Sequence, residues 1–283
     1  MARVDLHVHT TASDGMHRPA EVVRMAERER LAGLAITDHD TVAGVEEAMR
    51  EGEAAGIAVV PGVEISTVAD GKDIHVLGYY VDWQDPVFLR RLHSIRDVRE
   101  KRNAMIIERL RELGVPVTMA EVKQIAERSH PDGTIGRPHI AEAMLRKGYV
   151  SSISEAFDRY LGRTGAAYVN PPRISPKEAI DWIHDAGGVA VLAHPALIGD
   201  DALTGRLIDC GFDGIEAFHA DHTPEEEAMY AEAAVRRGLI VTAGSDFHGA
   251  RGGERFHAPL GAKTIGFGVL DRLKAVKRKE IVL

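Results

Sequence analysis

Asp5-Leu6-His7-Val8-His9, followed at once by Thr10-Thr11-Ala12-Ser13-Asp14-Gly15, is the stretch on which the reading of this 283-residue chain turns. A strand over Val4 to Val8 puts Asp5, His7 and His9 on one face and Val4, Leu6 and Val8 on the other, because successive side chains alternate. Two imidazoles so close together, at a strand end and ahead of a glycine-containing loop, can grip one metal ion. A strand that merely carries histidines is the plain alternative. The rest of the chain decides between them.

Outward from this stretch, short apolar runs alternate with amphipathic ones. Pro19 to Leu31 reads as a helix stopped by Gly33, with Val22, Val23, Ala26 and Leu31 as its apolar stripe. Leu34-Ala35-Ile36 reads as a buried strand ending in Thr37-Asp38-His39-Asp40. A helix over Val42 to Ala55 closes at Gly56, and a strand over Ile57 to Val63 ends in Gly62-Val63-Glu64. Ile74 to Val81 is a further strand, with His75 close to its start. Such alternation predicts parallel strands joined by crossover helices. At Asp85-Pro86 the rhythm changes. A long helix runs from Val87 to about Leu113, and Thr118-Met119-Ala120-Glu121 is a capping box that opens another. Ile140 to Arg146 and Ser152 to Leu161 follow as helices, with a strand signal only at Ala167-Tyr168-Val169. Residues 101–173 therefore read as a helical insertion into a domain made of residues 1–100 and 174–283. Alternation resumes at the capping box Ser175-Pro176-Lys177-Glu178. Strands over Val189–Ala193, Asp213–Ala217 and Leu239–Ala243 then lead into His194, His219 and Gly244-Ser245-Asp246-Phe247-His248. The tail, Val269 to Lys279, reads as an amphipathic helix with a solvated basic face.

Composition narrows the classes. With 45% hydrophobic and 28% charged residues the chain is an ordinary globular protein, and it is long enough for a sizeable core. A net charge of −8 argues against general affinity for duplex DNA. The single cysteine, Cys210, excludes an intrachain disulfide framework and fits a reducing cytoplasm. No apolar run approaches the length that crosses a bilayer, so no membrane partner is expected. The anomaly is fourteen histidines, many beside Asp or Glu.

Most of those groups fall at or just past the end of a predicted buried strand: His7 and His9, His39, Glu64, His194, and Asp246 with His248. In a barrel of parallel strands these ends converge on one face, where loops build the active site. His75 breaks the pattern, which leaves either a misplaced boundary or a strand that runs antiparallel to its neighbours. Taken together, Asp5-x-His7-x-His9, Asp14-Gly15, Thr37-Asp38-His39-Asp40, Gly62-x-Glu64, His75, His194-Pro195 and Gly244-Ser245-Asp246-x-His248 resemble the PHP (polymerase and histidinol phosphatase) family of metal-dependent phosphoesterases. The resemblance implies an α/β fold, a distorted (β/α)7 TIM-like barrel with a mostly helical insertion, and a cluster of up to three divalent ions. It implies that His7, His9, Glu64 and Asp246 hold one ion. Glu64, His75 and His194 hold a second, with Glu64 bridging, and Asp14, His39 and His248 hold a third. Glu64, His194, Asp246 and His248 are the members expected to serve catalysis directly. Mixed imidazole and carboxylate donors suit Mn, with Fe or Zn as alternatives. Asp5, Asp38 and Asp40 are expected to orient the imidazoles.

Clustered ions acidify water and clamp phosphoryl oxygens, so hydroxide bridging two ions is expected to attack phosphorus in line. His219, His222 and Glu216 are candidates for protonating the leaving group. The insertion should choose the substrate. In Thr134-Ile135-Gly136-Arg137-Pro138-His139-Ile140, a glycine precedes Arg137 and His139 at a helix start, a good anion site. Lys101, Arg102, Asn103 and, in Gly162-Arg163-Thr164-Gly165, Arg163 are expected to join it, with His222 also near the substrate. The Gly-Arg-Pro-His segment narrows the resemblance to stand-alone PHP phosphatases acting on 3′,5′-bisphosphonucleotides. That implies removal of the 3′-phosphate while the remote phosphate is held by Arg137. The alternatives are a 5′-to-3′ exoribonuclease on short RNA, a histidinol-phosphate-type phosphatase, and a metal-binding module without turnover. Low aromatic content and net acidity argue mildly against the RNA groove.

Overall fold

The apolar runs become the strands of one nearly closed barrel in the computed structural model, which describes residues 2–127, 134–251, 253–255 and 257–277. β1 (Arg3–Val8), α1 (Pro19–Arg28), β2 (Gly33–Ile36), α2 (Val45–Ala55) and β3 (Ala58–Ala69) alternate as foreseen, and β1, β2 and β3 pair in parallel. Pro19 sits in the first turn of α1, whose Val22, Val23 and Ala26 are buried. That helix ends at Arg28 rather than Leu31, because Arg30 turns left-handed at φ 57° before Gly33 opens β2.

The fourth strand departs from the parallel plan. β4 (Lys72–Tyr79) runs antiparallel to β3, with Ala69 opposite Lys72 and Gly62 opposite Tyr79. Asp70 and Gly71 alone make the turn, at φ 48° and 73°. An Asp-Gly pair tolerates two successive positive φ values, the geometry that lets a two-residue hairpin follow the strand twist. β3 therefore continues to Ala69 instead of stopping at Val63, and Glu64 lies within it. Because β4 runs backwards, the beginning of that strand, with His75, reaches the same rim as the ends of its neighbours.

α3 (Pro86–Glu112) serves two cores. Phe88, Leu92 and Ile95 pack into the main barrel cluster. Ile106 and Leu110 join a second cluster formed with α4 (Met119–Glu127), α5 (Arg137–Arg146) and α6 (Ile153–Ala156). Burying each Leu, Ile or Phe removes apolar surface worth about 1.5–3 kcal/mol, so both clusters stabilise their own part of the chain. α6 passes into a π-helical turn, Phe157–Leu161. Ala167-Tyr168-Val169 makes no strand: Ala167 is buried in the helical cluster and Val169 packs against it, so the run is spent on helix packing. The chain returns through α7 (Pro176–Asp185), capped as foreseen by Ser175 and Glu178.

β5 (Val189–Leu192), α8 (Asp201–Ile208), β6 (Gly214–His219), α9 (Pro224–Arg236) and β7 (Ile240–Gly244) complete the alternation. β5 pairs antiparallel with β4, and β5, β6 and β7 are parallel. Beyond them come a small hairpin of β8 (Ala250–Arg251) and β9 (Glu254–Arg255), then β10 (Ile265–Gly266) and α10 (Val269–Val276). The sheet has eight strands, one more than the resemblance implied, in the order β10-β1-β2-β3-β4-β5-β6-β7. The added strand is the short β10, antiparallel to the start of β1. At the other end of β1 the ring closes through Phe247: His9 donates its backbone N–H to Phe247 O at 2.9 Å. A third apolar cluster, with Val4, Val60, Tyr79, Val189 and Ile240, joins Val269, Leu270 and Leu273 of α10. It lies largely at the strand ends away from the histidines.

Candidate metal centre and active-site cavity

His7 lies in β1 and His9 just past it, Asp14 in the loop that follows, His39 after β2, Glu64 in β3 and His75 in β4. His194 follows β5, and Asp246 and His248 follow β7. All nine meet at one rim. Asp246 Oδ1 is 3.3 Å from His7 Nε2 and 3.1 Å from His9 Nε2. Glu64 stands between: its Oε1 is 3.5 Å from His7 Nε2 and its Oε2 is 3.3 Å from His9 Nε2. The same Oε1 is 2.8 Å from His75 Nδ1 and 3.1 Å from His194 Nε2. Asp14 Oδ1 lies 3.3 Å from His248 Nε2. His39 is turned both ways, Nε2 to Asp14 Oδ2 at 3.9 Å and Nδ1 to Glu64 Oε2 at 2.9 Å. Gly244 is required here, because a Cβ on it would lie 2.1 Å from His7 Cβ.

The donor set fits divalent ions. His7 Nε2, His9 Nε2, Asp14 Oδ1, His39 Nδ1, Glu64 Oε2, His75 Nδ1 and Asp246 Oδ1 are buried with no hydrogen-bond partner. Unsatisfied buried polar atoms are costly and native chains keep few of them without another use. They fall into groups whose donor atoms lie within 4.8 Å of one another: His7, His9 and Asp246; His39, Glu64 and His75; and His9, Asp14, His39 and His248. Electrostatics follows the crowding. Burial works against a charged His9, yet the Asp246 and Glu64 carboxylates carry it up to about 10. Burial likewise opposes ionised Glu64 and Asp246, and the surrounding imidazoles hold both well below the usual carboxylate range.

The supporting groups differ from expectation. Asp5, Asp38 and Asp40 hold loop backbone and neighbouring side chains rather than imidazoles. Asp38 accepts from Thr10 N–H at 2.8 Å, Thr10 Oγ1 at 2.7 Å and Ser13 Oγ at 2.6 Å, which shapes the loop carrying His9 and Asp14. Asp5 accepts from Ser245 N–H and Oγ and from Gly261 N–H, and burial pushes its carboxyl up to about 6. The imidazole brace is Glu216: its Oε1 is 3.0 Å from His7 Nδ1, and its Oε2 accepts from His194 N–H at 2.9 Å. Fully buried and so engaged, Glu216 is no leaving-group acid. His219 joins the nest, with Nε2 3.4 Å from Asp246 Oδ2. His222 stands outside it, with Nδ1 donating to Ala217 O at 3.0 Å and Nε2 accepting from Ala196 N–H at 3.4 Å. It holds the turn after His194 and does not line the cavity.

A cavity of about 310 Å³ opens on this rim. Its lining includes His39, Glu64, His75, His194, Asp246 and His248, four arginines, and the apolar Pro138, Phe157 and Leu197. Arg137 is one of the four, as the motif suggested, and it donates to Asp73 Oδ2 at 3.0 Å. The others are Arg99 and Arg102, one turn apart on α3, and Arg173. Arg99 donates to Asp40 Oδ2 through Nε at 3.0 Å, and Arg173 shares Asp73 with Arg137. Among the described residues Arg102 has no carboxylate in ion-pair distance: Nη2 reaches Asn103 Oδ1 at 3.4 Å, and Nε is buried without a hydrogen-bond partner. Burial and then Arg99, Arg137 and Arg173 push its guanidinium well below the usual range.

Besides His222, four further expected substrate groups do not line this cavity. Lys101 is exposed, on the face of α3 turned away from Arg99 and Arg102. Arg163 is exposed beyond the π-helical turn. Asn103 donates to Ile135 O at 2.9 Å, bracing the approach to α5. His139 is buried and accepts from Gly136 N–H at 3.0 Å, so it caps α5 instead of facing a ligand. The reading also missed His257, which lines the cavity with Nδ1 2.6 Å from Asp221 Oδ2 and Nε2 3.4 Å from Asp246 Oδ2. No strand end or motif marks it. Arg102 lines the cavity as expected, whereas Arg99 and Arg173 were missed; for Arg99 the helical i, i+3 spacing from Arg102 was the available signal.

Residues 5–188 match the family model described as PHP domain. The chain is 37% identical over 254 residues to a 5′-3′ exoribonuclease of Haemophilus influenzae, covering 87% of this chain and 90% of that protein. It is 32% identical over 265 residues to a 3′,5′-nucleoside bisphosphate phosphatase of Chromobacterium violaceum, covering 90% of each. The solved structure of a protein assigned to the metal-dependent phosphoesterases, from Bifidobacterium adolescentis, superposes with a TM-score of 0.87 at 30% identity over 99% of this chain and 97% of that one. With the family model covering most of the chain and its histidines and carboxylates gathered on one barrel rim, the chain belongs to the PHP family and is a metal-dependent phosphoesterase.

Proposed function

We propose that the protein removes the 3′-phosphate from 3′,5′-bisphosphonucleotides, such as 3′-phosphoadenosine 5′-phosphate, leaving a 5′-mononucleotide and phosphate. The observation that carries this is Arg102, a buried guanidinium with no ion-pair partner among the described residues, in the cavity that also holds the histidine nest. The four arginines there pair with only two carboxylates, Asp40 and Asp73, so the arginine side of the cavity has more guanidinium groups than carboxylate partners. A terminal phosphate carries the matching charge, and arginine forks suit its oxygens. Held there, the remote phosphate orients the reacting one.

Three Mn ions are our assignment, with Fe or Zn as alternatives: His7, His9, Glu64 and Asp246 would hold one, Glu64, His75 and His194 another, and Asp14, His39 and His248 the third. Such ions supply Lewis acidity to the phosphoryl group and make water a better nucleophile near neutral pH. The chain's own residues do the positioning. Glu216 fixes the His7 ring and the His194 backbone, and Asp38 fixes the loop of His9 and Asp14. Arg102, Arg137 and Arg173 bind the 5′-phosphate, and residues 101–173 act as the substrate-binding cap of a barrel made of residues 1–100 and 174–283. Hydrolysis adds water across the P–O3′ bond, so the 3′ oxygen leaves with a proton.

Stepwise release of 5′-mononucleotides from short RNA is a second reading, favoured by the higher identity to the exoribonuclease. Both reactions break a 3′-phosphoester of a 5′-phosphorylated nucleotide, and they differ in what lies beyond the reacting phosphate. Product release with Mn from a 3′,5′-bisphosphate, a 3′-monophosphate and a 5′-phosphorylated trinucleotide separates them. The bisphosphate is expected to lead. Faster release from the trinucleotide would replace the first reading with the second, and equal rates on mono- and bisphosphate would remove the role given to the arginines.

A further inference from the structure

Arg251 is a buried arginine that does not line the cavity. It lies in β8, three residues after His248, and is 3% exposed. A guanidinium this deep is costly unless its fork is engaged. Here both arms are used: Nη1 donates to Glu142 Oε2, and Nη2 donates to Asp14 O at 3.1 Å. Glu142 is itself buried on α5, and its other oxygen accepts from Arg146 one turn further on. One side chain thus joins three parts of the fold: the hairpin after His248, the loop of Asp14, and the helical cap.

The approach to α5 touches the same loops again. Thr134 N–H donates to Ala12 O at 3.0 Å, and Thr134 Oγ1 donates to His39 O at 3.1 Å. Gly136 lies so close to Asp14 that a Cβ on it would stand 3.0 Å from Asp14 Oδ2. These contacts converge on one donor group, since Asp14, His39 and His248, with His9, have ligand atoms within 4.8 Å of one another. The other donors rest on the barrel itself. Glu64 and His75 sit in the β3–β4 ladder, and Glu216 braces the His7 ring and the His194 backbone.

We infer that Arg251 and Glu142 are positioning residues for the third ion: they clamp α5 against the rim and so set the spacing of Asp14 and His248, while Thr134 holds His39. This rests on the reading that Asp14, His39 and His248 hold that ion. Affinity for the third ion then depends on how the cap is docked, and affinity for the first two does not. The physical reason is where each donor is anchored. A strand ladder fixes a side chain without help, whereas loop residues such as Asp14 and His248 keep their spacing only if something outside the loops holds them.

The test is graded chelation of the Mn-loaded protein, with bound Mn counted by elemental analysis at each step. The wild type should hold three equivalents. Arg251→Met and Glu142→Gln should each weaken one equivalent about 10- to 100-fold, the usual loss when a group that orients ligands is removed, and leave the other two within about twofold. Thr134→Val, which keeps the backbone bond to Ala12, should weaken the same equivalent by less; with Glu142→Gln it carries the test if Arg251→Met does not fold. Added to Asp14→Asn, Arg251→Met should cost nothing more, because the site it serves is already lost; added to His7→Asn, its effect should persist. Three equivalents in the wild type with all of them weakened alike in the variants, with none weakened, or with a further loss on top of Asp14→Asn would overturn the clamp and leave the three-ion reading standing. Fewer than three equivalents in a fully active wild type overturns that reading, and the clamp with it.

Discussion

Replacing Arg102 by leucine should make the metal-loaded protein more stable and a worse enzyme. Arg102 is only 5% exposed, its Nε has no partner, and Arg99, Arg137 and Arg173 all oppose its charge. A buried polar group without a partner costs about 1–3 kcal/mol, and replacing a buried charge by a similar apolar volume is often neutral or stabilising. Over a chain of this size that corresponds to a rise of roughly 2–8 °C in Tm, read by calorimetry at equal metal loading. Substrate binding is where the charge is used. Losing a hydrogen bond to a charged group, worth about 1.5–3 kcal/mol, should lower kcat/KM on a 3′,5′-bisphosphate roughly 12- to 150-fold. The 3′-monophosphate, with no remote phosphate, should keep its rate within about twofold, because no interaction it makes has been removed. A fall in Tm together with equal losses on both substrates would refute the reasoning, since Arg102 would then be a packing element with hidden partners.

His7→Asn or His9→Asn should remove about one equivalent of bound metal by elemental analysis and lower turnover by at least about 10³-fold, with the circular dichroism spectrum unchanged; retained stoichiometry would dismiss the first ion's assignment. His139 gives a pH test. Burial, then Arg251, pushes its ring down to about 3, so the unfolded chain binds the proton first and the folded state needs the neutral ring. Its contribution is complete above pH 6.5 and is lost as pH falls towards 3, by about 1.4 kcal/mol per pH unit. His139→Asn keeps an acceptor for Gly136 N–H without titrating, so denaturation curves should show the wild-type advantage shrinking across that window; a constant difference would deny His139 this role.

Much of the rim was legible because its residues are chemically loud. His39, His194, Asp246 and His248 follow short apolar strands directly, and strand ends converge in any such barrel. The reversed strand was half legible. His75 stood at the wrong end of its run, and Asp70-Gly71 held the hairpin signal that explains why. Arginines were harder to place. Lys101, Arg102 and Asn103 are neighbours in sequence, yet a helix turns each by about 100°, so only Arg102 faces the cavity while Arg99, a turn earlier, joins it. Glu216 could be named as an acid but its brace on His7 spans 209 positions, and only packing sets that distance.

By itself the sequence determined the alternation of strands and helices, the place where it breaks, and the kind of atoms that gather at the strand ends, because periodicity and residue type are local properties. Tertiary structure alone decided which arginines stand without a carboxylate, which histidine caps a helix instead of facing the cavity, and which aromatic ring lines it. Those outcomes depend on burial and on neighbours far away in sequence, and a guanidinium on a helix is written the same way whether it faces solvent or a phosphate.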